Sequence, residues 1–298
     1  MAKLNLALTV VCFSMLFLSV AQASNFWDDF MVTFGLMNGN VKFPGPNVGD
    51  TVKLGLTTQT GSGFQSKYPF MFGRISMKIK LVGGNSAGTV TSYYMASTFK
   101  KWCELDFEFL GNVTGQPYIL QTNVFVEGKG EREQRVYLWF DPTADYHEYG
   151  FLWNQNLILF LVDNRVIRVF YNQKNLGLLY PDYQPMYIYS SIFDGDSWAT
   201  RGGREKINWA GQPFEASYTA FDVASSCQVK NSTGFTDIHN CYNKLYRSWY
   251  GQAPNLALGQ TQINDLRWIR SQFLIYDYCT DLARWNGSVP LECAKNWP

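Results

Sequence analysis

Short runs of alternating apolar and polar residues dominate the chain from about residue 26 to residue 221. These runs are rich in Val, Ile, Phe, Tyr and Thr, which favour strands, and Gly and Asn turn signals separate them. The clearest predicted strands are 74–81, 89–96, 118–127, 136–140, 146–153 and 157–162. Many short strands with few helical stretches predict an all-β fold, either a β-sandwich or a jelly roll.

The pattern changes after Phe221, where cysteines become frequent and residues 263–278 mix helical and strand periodicity. We expect the apolar side chains of Leu266, Ile269 and Phe273 to pack on the main body. The sequence therefore predicts a β domain over residues 24–222 and a C-terminal extension over residues 223–298.

The N-terminus has the pattern of an export signal. Lys3 precedes an apolar run over residues 4–20, and Ala21-Gln22-Ala23 fits a small-residue cleavage site. The run is marginal for a membrane span, which needs about 20 residues. Residues 1–23 are thus predicted to be a signal peptide. The mature protein is expected to begin at Ser24, secreted and without a membrane partner.

Charge and aromatic content narrow the possible partners. Only 16% of residues are charged and the net charge is +1, whereas nucleic-acid binding needs clustered Lys and Arg, so no nucleic-acid partner is expected. Aromatic residues make up 17% of the chain. They fit a β-rich core, and they equally fit a cleft that stacks aromatic faces against sugar rings.

Five cysteines remain after the signal, and four of them lie in the last quarter of the chain. An exported protein meets an oxidising compartment, so disulfides are expected. Of three possible connectivities, local pairing is the simplest, Cys227 with Cys241 and Cys279 with Cys293. Metal binding is the weaker interpretation, because C-x-x-C motifs are absent and histidine is scarce. Cys103 is left over and is predicted to be a free, buried thiol.

Three carboxylates fall at alternate positions in one predicted strand. Side chains alternate between the two faces of a strand, so Glu104, Asp106 and Glu108 share one face while Leu105 and Phe107 point into the core. Like charges on one strand face repel each other, and a purely structural strand gains nothing from them. An acidic edge exposed to solvent or a calcium site remains an alternative.

Retaining cleavage of a glycosidic bond uses such an arrangement. It needs two carboxyl groups about 5–5.5 Å apart, one as nucleophile and one as acid/base. Strand positions four apart lie roughly 13 Å apart at Cα, and two glutamates that lean together close much of this gap. We therefore predict Glu104 and Glu108 as the catalytic pair. Asp106, between them, is predicted to assist by hydrogen-bonding the nucleophile.

The stretch E-L-D-F-E-F-L-G (104–111) resembles the active-site strand of glycoside hydrolase family 16. It is most similar to that of the plant xyloglucan endotransglucosylase/hydrolases, whose E-x-D-x-E motif is followed by a glycosylation site at the position of Asn112. The resemblance extends over nearly the whole mature chain. Further blocks similar to the family are 61–66, 84–89, 121–125, 137–142, 198–203, 278–281 and 290–293.

This resemblance implies a curved, concanavalin-like jelly roll with an open cleft on its concave face. It implies that Glu104 is the nucleophile, that Glu108 is the acid/base, and that neither a cofactor nor a metal is needed. It also implies a glycan on Asn112; two further sequons start at Asn231 and Asn286. The implied sugar contacts come from Gln121, Asn123, Arg132, Glu133, Trp198 and Gly203, with Trp198 stacking on the acceptor side.

The chain departs from the family pattern next to the nucleophile. The family has His-Asp immediately before it, and this chain has Trp102-Cys103. By alternation Trp102 shares the cleft face with Glu104, so a polar neighbour is replaced by a bulky aromatic. Ser197 likewise replaces a more usual Asp. All three acidic residues remain, so these changes bear on substrate preference more than on mechanism.

The leading hypothesis is a secreted transglycosylase that cleaves xyloglucan or a related β-1,4-glucan and passes it to a glucan acceptor. Net hydrolysis of the same glucans, or a preference for mixed-linkage glucan or cellulose as donor, is the alternative. An inactive glucan-binding wall protein is a third possibility. A Ser-His-Asp hydrolase is disfavoured, because histidine is scarce, with only two in the chain. The resemblance places the protein in the plant cell wall and apoplast, as a monomer.

Overall fold

A computed structural model describes residues 25–230 and 235–295. The predicted signal peptide and Asn231 lie outside these residues. The described chain is mostly strand, with three α-helices, α1 (Phe26–Asp29), α2 (Phe235–Leu245) and α3 (Gln260–Gln272), and several single 3-10 turns. The strands are β1 (Phe30–Phe34), β2 (Val41–Lys42), β3 (Thr51–Leu56), β4 (Ser62–Ser66), β5 (Phe70–Lys80), β6 (Thr89–Ala96), β7 (Glu104–Leu110), β8 (Ile119–Phe125), β9 (Gln134–Tyr137), β10 (His147–Trp153), β11 (Leu157–Val162), β12 (Arg165–Tyr171), β13 (Tyr187–Asp194), β14 (Phe214–Asp222), β15 (Ser226–Gln228) and β16 (Leu274–Asp277).

These strands form two antiparallel sheets. The first sheet has the order β1-β4-β13-β6-β7-β8-β9-β16, and the second has the order β12-β11-β10-β5-β14-β3-β2, with β15 paired to β5. Neighbours such as β6 and β13 are far apart in sequence, which is the crossing connectivity expected of a jelly roll. The all-β sandwich prediction is confirmed.

Aromatic side chains fill the space between the sheets. Phe107 on the first sheet lies 4.9 Å from Phe151 and 5.3 Å from Phe160 on the second, measured between ring centroids. All three side chains are fully buried, and burying each stabilises the fold by about 1.5–3 kcal/mol. The core thus fixes one face of β7, and the other face of β7 is left for chemistry.

The predicted strands agree with the structure to within a few residues. Residues 89–96 and 157–162 coincide with β6 and β11. The prediction began β5 at residue 74, four residues late. The reason is local, because Phe72 and Gly73 have positive φ angles of 63° and 122° and interrupt the regular alternation. These residues are nevertheless buried in the sheet.

The C-terminal region packs on the sandwich. Residues 263–278 divide into the end of helix α3 and strand β16, which explains their mixed periodicity. Leu266 and Ile269 are buried, and Phe273 is partly buried against the same core, as predicted. Strand β16 pairs with β9 and so extends the first sheet at one edge.

The disulfides join Cys227 to Cys241 and Cys279 to Cys293, the local pairing. Cys103 is a free, buried thiol. Both bridges therefore lie in the C-terminal quarter of the chain, and each closes a loop with a sequence separation of 14 residues.

Candidate active site

Three acidic side chains occupy the face of β7 that points away from the core. Glu104 and Glu108 are partly exposed, whereas Asp106 between them is only 5% exposed. Leu105 and Phe107 on the opposite face are fully buried. The alternation predicted from the sequence therefore brings the three carboxyl groups to one surface of the first sheet.

The neighbouring strands surround this row in register. Asp106 lies between Tyr94 of β6 and Asn123 of β8, and Glu108 lies between Ser92 and Gln121. Strand faces alternate together across a sheet, so these side chains share the surface with the carboxyl groups.

Burial raises the pKa of all three carboxyl groups. For Glu104, hydrogen bonding with Asp106 and a polar contact with Trp102 offset part of this effect. The pKa of Asp106 lies well above its usual range, because burial is complete and the Glu104 charge is adjacent. We conclude that burial favours the protonated form of Asp106, and that its O–H donates a hydrogen bond to the Glu104 carboxylate, which favours the ionised form of Glu104.

The acid at the other end of the row has different neighbours. Burial raises the pKa of Glu108, the amide of Gln121 lowers it, and the charge of Glu104 raises it again. Glu104 and Glu108 are thus close enough to influence each other electrostatically. One ionised carboxylate and one protonated carboxylic acid on the same surface are what glycosidic cleavage requires.

Gln121 contacts the carboxylate row, and Asn123 lies beside the row, opposite Asp106 in the strand register. The Gln121 side chain donates from Nε2 to Oε2 of Glu108 over 2.6 Å, and its Oε1 accepts from Nε of Arg135 over 2.6 Å. Asn123 is 6% exposed, and its Oδ1 accepts from the backbone N–H groups of Val124 and Arg132. Arg135 was not among the predicted site residues, because an isolated Arg in a strand carries no sequence signal.

Two other predicted residues contact the C-terminal region. Arg132 donates from Nε to Glu292 over 2.7 Å, and its Nη1 donates to backbone carbonyls, including that of Lys129 over 2.7 Å. Glu133 accepts from Arg284 over 2.7 Å. The structure therefore gives both side chains protein partners from the C-terminal region, and sugar contact by either stays a prediction.

Trp198 and Gly203 lie beyond the Glu108 end of the row. Trp198 packs on a small apolar cluster that contains Val90 and Leu110. Gly203 has a φ of 81°, and a Cβ there would lie 2.5 Å from the carbonyl oxygen of Ser197. The backbone itself therefore requires glycine at this position. Sugar contact by these two residues also stays a prediction.

An aromatic pair beside the carboxylates was missed by the sequence analysis. The rings of Tyr94 and Tyr189 stack at 5.0 Å with an interplanar angle of 15°, and both are partly exposed. Burial raises the pKa of both hydroxyls and the charge of Glu104 adds to this effect, so the pair lies near Glu104. Only the register between β6 and β13, residues nearly a hundred positions apart in sequence, brings the two rings together.

A buried arginine behind the row was also missed. Arg168 is 2% exposed, and its Nη1 donates to the carbonyl and hydroxyl oxygens of Thr122 over 2.8 and 2.9 Å. Its positive charge lowers the pKa of Asp106 and so opposes the larger effect of burial. Within 25–230 and 235–295, no group of three or more His, Cys, Asp or Glu is arranged to hold a metal ion.

Comparison with known proteins agrees with this geometry. The sequence model for glycosyl hydrolases family 16 matches residues 28–211, and the one for the xyloglucan endo-transglycosylase (XET) C-terminus matches residues 246–293. Xyloglucan endotransglucosylase/hydrolase protein 15 of Arabidopsis thaliana is 48% identical over 282 residues, 93% of this chain and 92% of its own length. Xyloglucan endotransglucosylase protein 2 of Diospyros kaki is 50% identical over 250 residues, 84% and 82% respectively.

The chain belongs to glycosyl hydrolase family 16, among the xyloglucan endotransglucosylase/hydrolases. The fold agrees with this placement. A prokaryotic β-1,3-1,4-glucanase (lichenase) from a mouse hindgut metagenome superposes with a TM-score of 0.52 at 23% identity, covering 65% of this chain and 92% of its own.

The departure from the family motif can now be located. Trp102 is 36% exposed, and its ring stacks on Phe125 at 6.1 Å and 27°. Its indole contributes to lowering the pKa of Glu104, so Trp102 lies on the cleft face, as strand alternation predicted. Cys103 points to the opposite side and contacts the hydroxyl of Tyr183 at 3.5 Å. The aromatic residue at this position therefore still supplies a polar group to Glu104.

The predicted glycosylation motif follows strand β7. Asn112 is partly exposed, and its Nδ2 donates to the carbonyl of Pro117 over 2.9 Å. Asn286, in the third sequon, is exposed in a turn with a φ of 51°. Among the described residues, no helix is long and apolar enough to cross a membrane.

Proposed function

We propose that this protein is a secreted, retaining endo-β-glucan transglycosylase. It cleaves xyloglucan or a related β-1,4-glucan and transfers the cleaved chain to a glucan acceptor. The observation that carries the proposal is the row of Glu104, Asp106 and Glu108 on the open face of β7, in which buried Asp106 hydrogen-bonds Glu104. The names of the relatives, which specify xyloglucan, support the choice of substrate.

In the first step Glu104 attacks and Glu108 protonates. The Glu104 carboxylate forms a bond to the anomeric carbon while the glycosidic C–O bond breaks, and the Glu108 proton moves to the leaving oxygen. Burial raises the pKa of Glu108, so the proton is available under mildly acidic conditions. Asp106 donates a hydrogen bond to Glu104 and keeps it ionised as the sugar arrives.

In the second step the roles reverse. The Glu108 carboxylate removes a proton from the hydroxyl of an acceptor sugar, and this oxygen displaces Glu104 from the anomeric carbon. Water in the acceptor's place gives net hydrolysis. Two displacements at one carbon retain its configuration, and no cofactor takes part.

Recognition of the glucan uses the side chains around the row. The stacked rings of Tyr94 and Tyr189 offer an apolar platform for a sugar face next to Glu104. Gln121 and Asn123 supply amide groups on the other side of β7. We include Arg132, Glu133, Trp198 and Gly203 as further substrate contacts. The Trp102 ring adds an aromatic wall that family members with His at this position lack.

The predicted export signal supports secretion, and the similarity to plant xyloglucan endotransglucosylase/hydrolases supports the plant cell wall and apoplast as the location, where the protein acts as a monomer on wall polysaccharides. A glycan on Asn112 would lie just past the catalytic strand and support folding. The domains are the signal peptide 1–23, the catalytic jelly roll 24–222 and the C-terminal extension 223–298.

One assay separates the possible outcomes. The secreted protein is incubated with xyloglucan and a fluorescent xyloglucan oligosaccharide, and label transfer and new reducing ends are counted in the same tube. Label transfer with few new ends is expected. New ends without transfer indicate a hydrolase. If neither label transfer nor new reducing ends appear with xyloglucan, mixed-linkage glucan or cellulose while the protein still binds glucan, the enzyme proposal is overturned in favour of an inactive binding protein.

A further inference from the structure

A chain of hydrogen bonds leads from the edge of the first sheet to the acid Glu108. Arg135 on β9 donates from Nε to Oε1 of Gln121 over 2.6 Å, and Gln121 on β8 donates from Nε2 to Oε2 of Glu108 over 2.6 Å. The strand register places the three residues side by side, Glu108 opposite Gln121 and Gln121 opposite Arg135.

Arg135 decides which way the amide faces. A guanidinium group only donates hydrogen bonds, so it must meet the amide oxygen, and the NH₂ group of Gln121 must then face Glu108. An N–H donor pointing at Oε2 of Glu108 leaves no room for a proton on that oxygen. The acidic proton is thereby favoured on Oε1, the other carboxyl oxygen of Glu108.

The C-terminal extension holds Arg135 in turn. The guanidinium carbon of Arg135 lies 5.5 Å from the ring centroid of Tyr276 on β16, within the range of a cation–π contact. The hydroxyl of Tyr276 is itself fixed, because it accepts from Arg284 over 3.0 Å and donates to Asp281 over 3.0 Å. Arg284 also pairs with Glu133.

We propose that Arg135 is a positioning residue for the general acid, acting through Gln121, and that Tyr276 transmits support from the C-terminal extension to it. The inference rests on the proposed role of Glu108. It assigns strand β16 a part in the proposed chemistry of Glu108. Two side chains, those of Arg135 and Gln121, separate Tyr276 from Glu108.

The charges around Glu108 give the sign of the pH effect. Glu104 and Glu133 raise its pKa, whereas Arg135 and the amide of Gln121 lower it. Removing Arg135 takes away a positive charge and frees the amide to turn, and both changes favour the protonated acid. A general acid works below its pKa, so the alkaline limb of the kcat/KM profile moves to higher pH.

The test compares Arg135→Met, Arg135→Lys and a control, Arg267→Met, which removes an exposed arginine of α3. Each variant is assayed with a glucan donor and with a nitrophenyl glucan oligosaccharide, whose leaving group needs little protonation. Arg135→Met is expected to lower kcat about 10-fold with the glucan, much less with the nitrophenyl donor, and to shift the alkaline limb upward. Arg135→Lys retains the positive charge, so the alkaline limb of its kcat/KM profile should lie close to that of the wild type. Arg267→Met should match the wild type.

Variants of Tyr276 test the C-terminal link. Tyr276→Ala removes the ring under Arg135 and should reproduce part of the Arg135→Met effect, whereas Tyr276→Phe keeps the ring, loses its hydroxyl bonds, and should have a smaller effect than Tyr276→Ala. An equal loss of kcat by Arg135→Met on both donors, with an unmoved pH profile, overturns the proposal.

A measurement that needs no turnover separates this inference from the proposed function. The Glu108 carboxyl carbon is titrated by NMR in the wild type and in Arg135→Met. A higher pKa in the variant supports the positioning role even if no glucan is cleaved, and an unchanged pKa refutes it.

Discussion

Asp106 and Glu104 point from the same strand face two residues apart and are joined by a hydrogen bond between their carboxyl groups. Burial raises the pKa of both, and that of Asp106 lies well above its usual range, so one proton stays with the pair and resides on Asp106. Three carboxyl groups in a row are therefore compatible with a stable strand, because burial favours the protonated form of Asp106 between the two glutamates. Because the proton resides on Asp106, Glu104 stays ionised and, in the proposed mechanism, can attack the anomeric carbon.

Glu104→Ala tests the nucleophile. The substitution removes the carboxylate that attacks the anomeric carbon, and we expect transfer and hydrolysis to fall by at least about 10³-fold. Glu104 is partly exposed and pairs with no arginine or lysine in the described residues, so the fold should persist. Circular dichroism and thermal unfolding check the fold, and Glu127→Ala, which changes a partly exposed glutamate outside the row, is the matched control. Normal turnover by a folded Glu104→Ala protein contradicts the assignment.

Asp106→Asn tests the buried acid through stability. A carboxyl group whose pKa is raised by folding stabilises the fold most below its unfolded pKa of about 3.9, and that contribution is lost as pH rises toward the folded value. Asparagine is isosteric, does not titrate, and still donates a hydrogen bond to Glu104. We expect the variant to have a higher Tm than the wild type at pH 7, by about 2–4 °C for each kcal/mol, with the difference shrinking toward pH 4.

The comparison needs Tm values at several pH values in the same ionic strength. A wild-type advantage that grows as the pH rises contradicts the assignment of the proton to Asp106. Activity should fall in the same variant, because Asn cannot adjust its protonation as the charge of Glu104 changes during the reaction.

The sequence was sufficient to predict the row of three carboxyl groups on one face of β7, for a physical reason. Alternation along a strand is a local property, so the common face of Glu104, Asp106 and Glu108 follows from spacing alone. The burial of Leu266 and Ile269 in the core also follows from local periodicity.

Contacts between strands that are distant in sequence could not be predicted from local spacing. The partnership of Arg135 with Gln121 and the stack of Tyr94 on Tyr189 depend on register between strands, and register is set by the assembled sheet. Arg132 shows the same limit. The family resemblance implied sugar contact there, which stays a prediction, whereas the ion pair of its guanidinium with Glu292, 160 residues away in sequence, carries no local signal.

Trp102→Phe tests the residue that departs from the family pattern. Phenylalanine keeps an aromatic ring to stack on Phe125 and removes the indole N–H that helps to stabilise the charge of Glu104. The pKa of Glu104 should therefore rise. The nucleophile must be ionised, so the acidic limb of the kcat/KM profile should move to higher pH by up to about one unit.

The limb position is measured by steady-state kinetics across the acidic range. Trp102→His, which restores the residue type of the family, is the companion variant and should change the KM of the glucan donor because the aromatic wall is lost. An acidic limb that stays fixed in Trp102→Phe would show that the indole has no influence on the nucleophile.

The two disulfides offer a matched pair of variants. Both close loops with a sequence separation of 14 residues, so removing either should release a similar conformational entropy in the unfolded state, about 3 kcal/mol in the chain-entropy model. Only the Cys279–Cys293 bridge lies next to Glu292, whose side chain binds Arg132 and whose backbone carbonyl accepts from Gln173 over 3.0 Å.

We therefore expect Cys227→Ser/Cys241→Ser and Cys279→Ser/Cys293→Ser to lower the Tm by similar amounts, while only the second raises the KM for glucan. Glu292→Gln, with both bridges intact, isolates the ion pair from the bridge. It should reproduce the KM increase with a smaller loss of Tm, because the Arg132 loop then loses its charged partner and the C-terminal backbone remains tethered. Equal KM changes in both disulfide variants would show that this contact does not shape the glucan site.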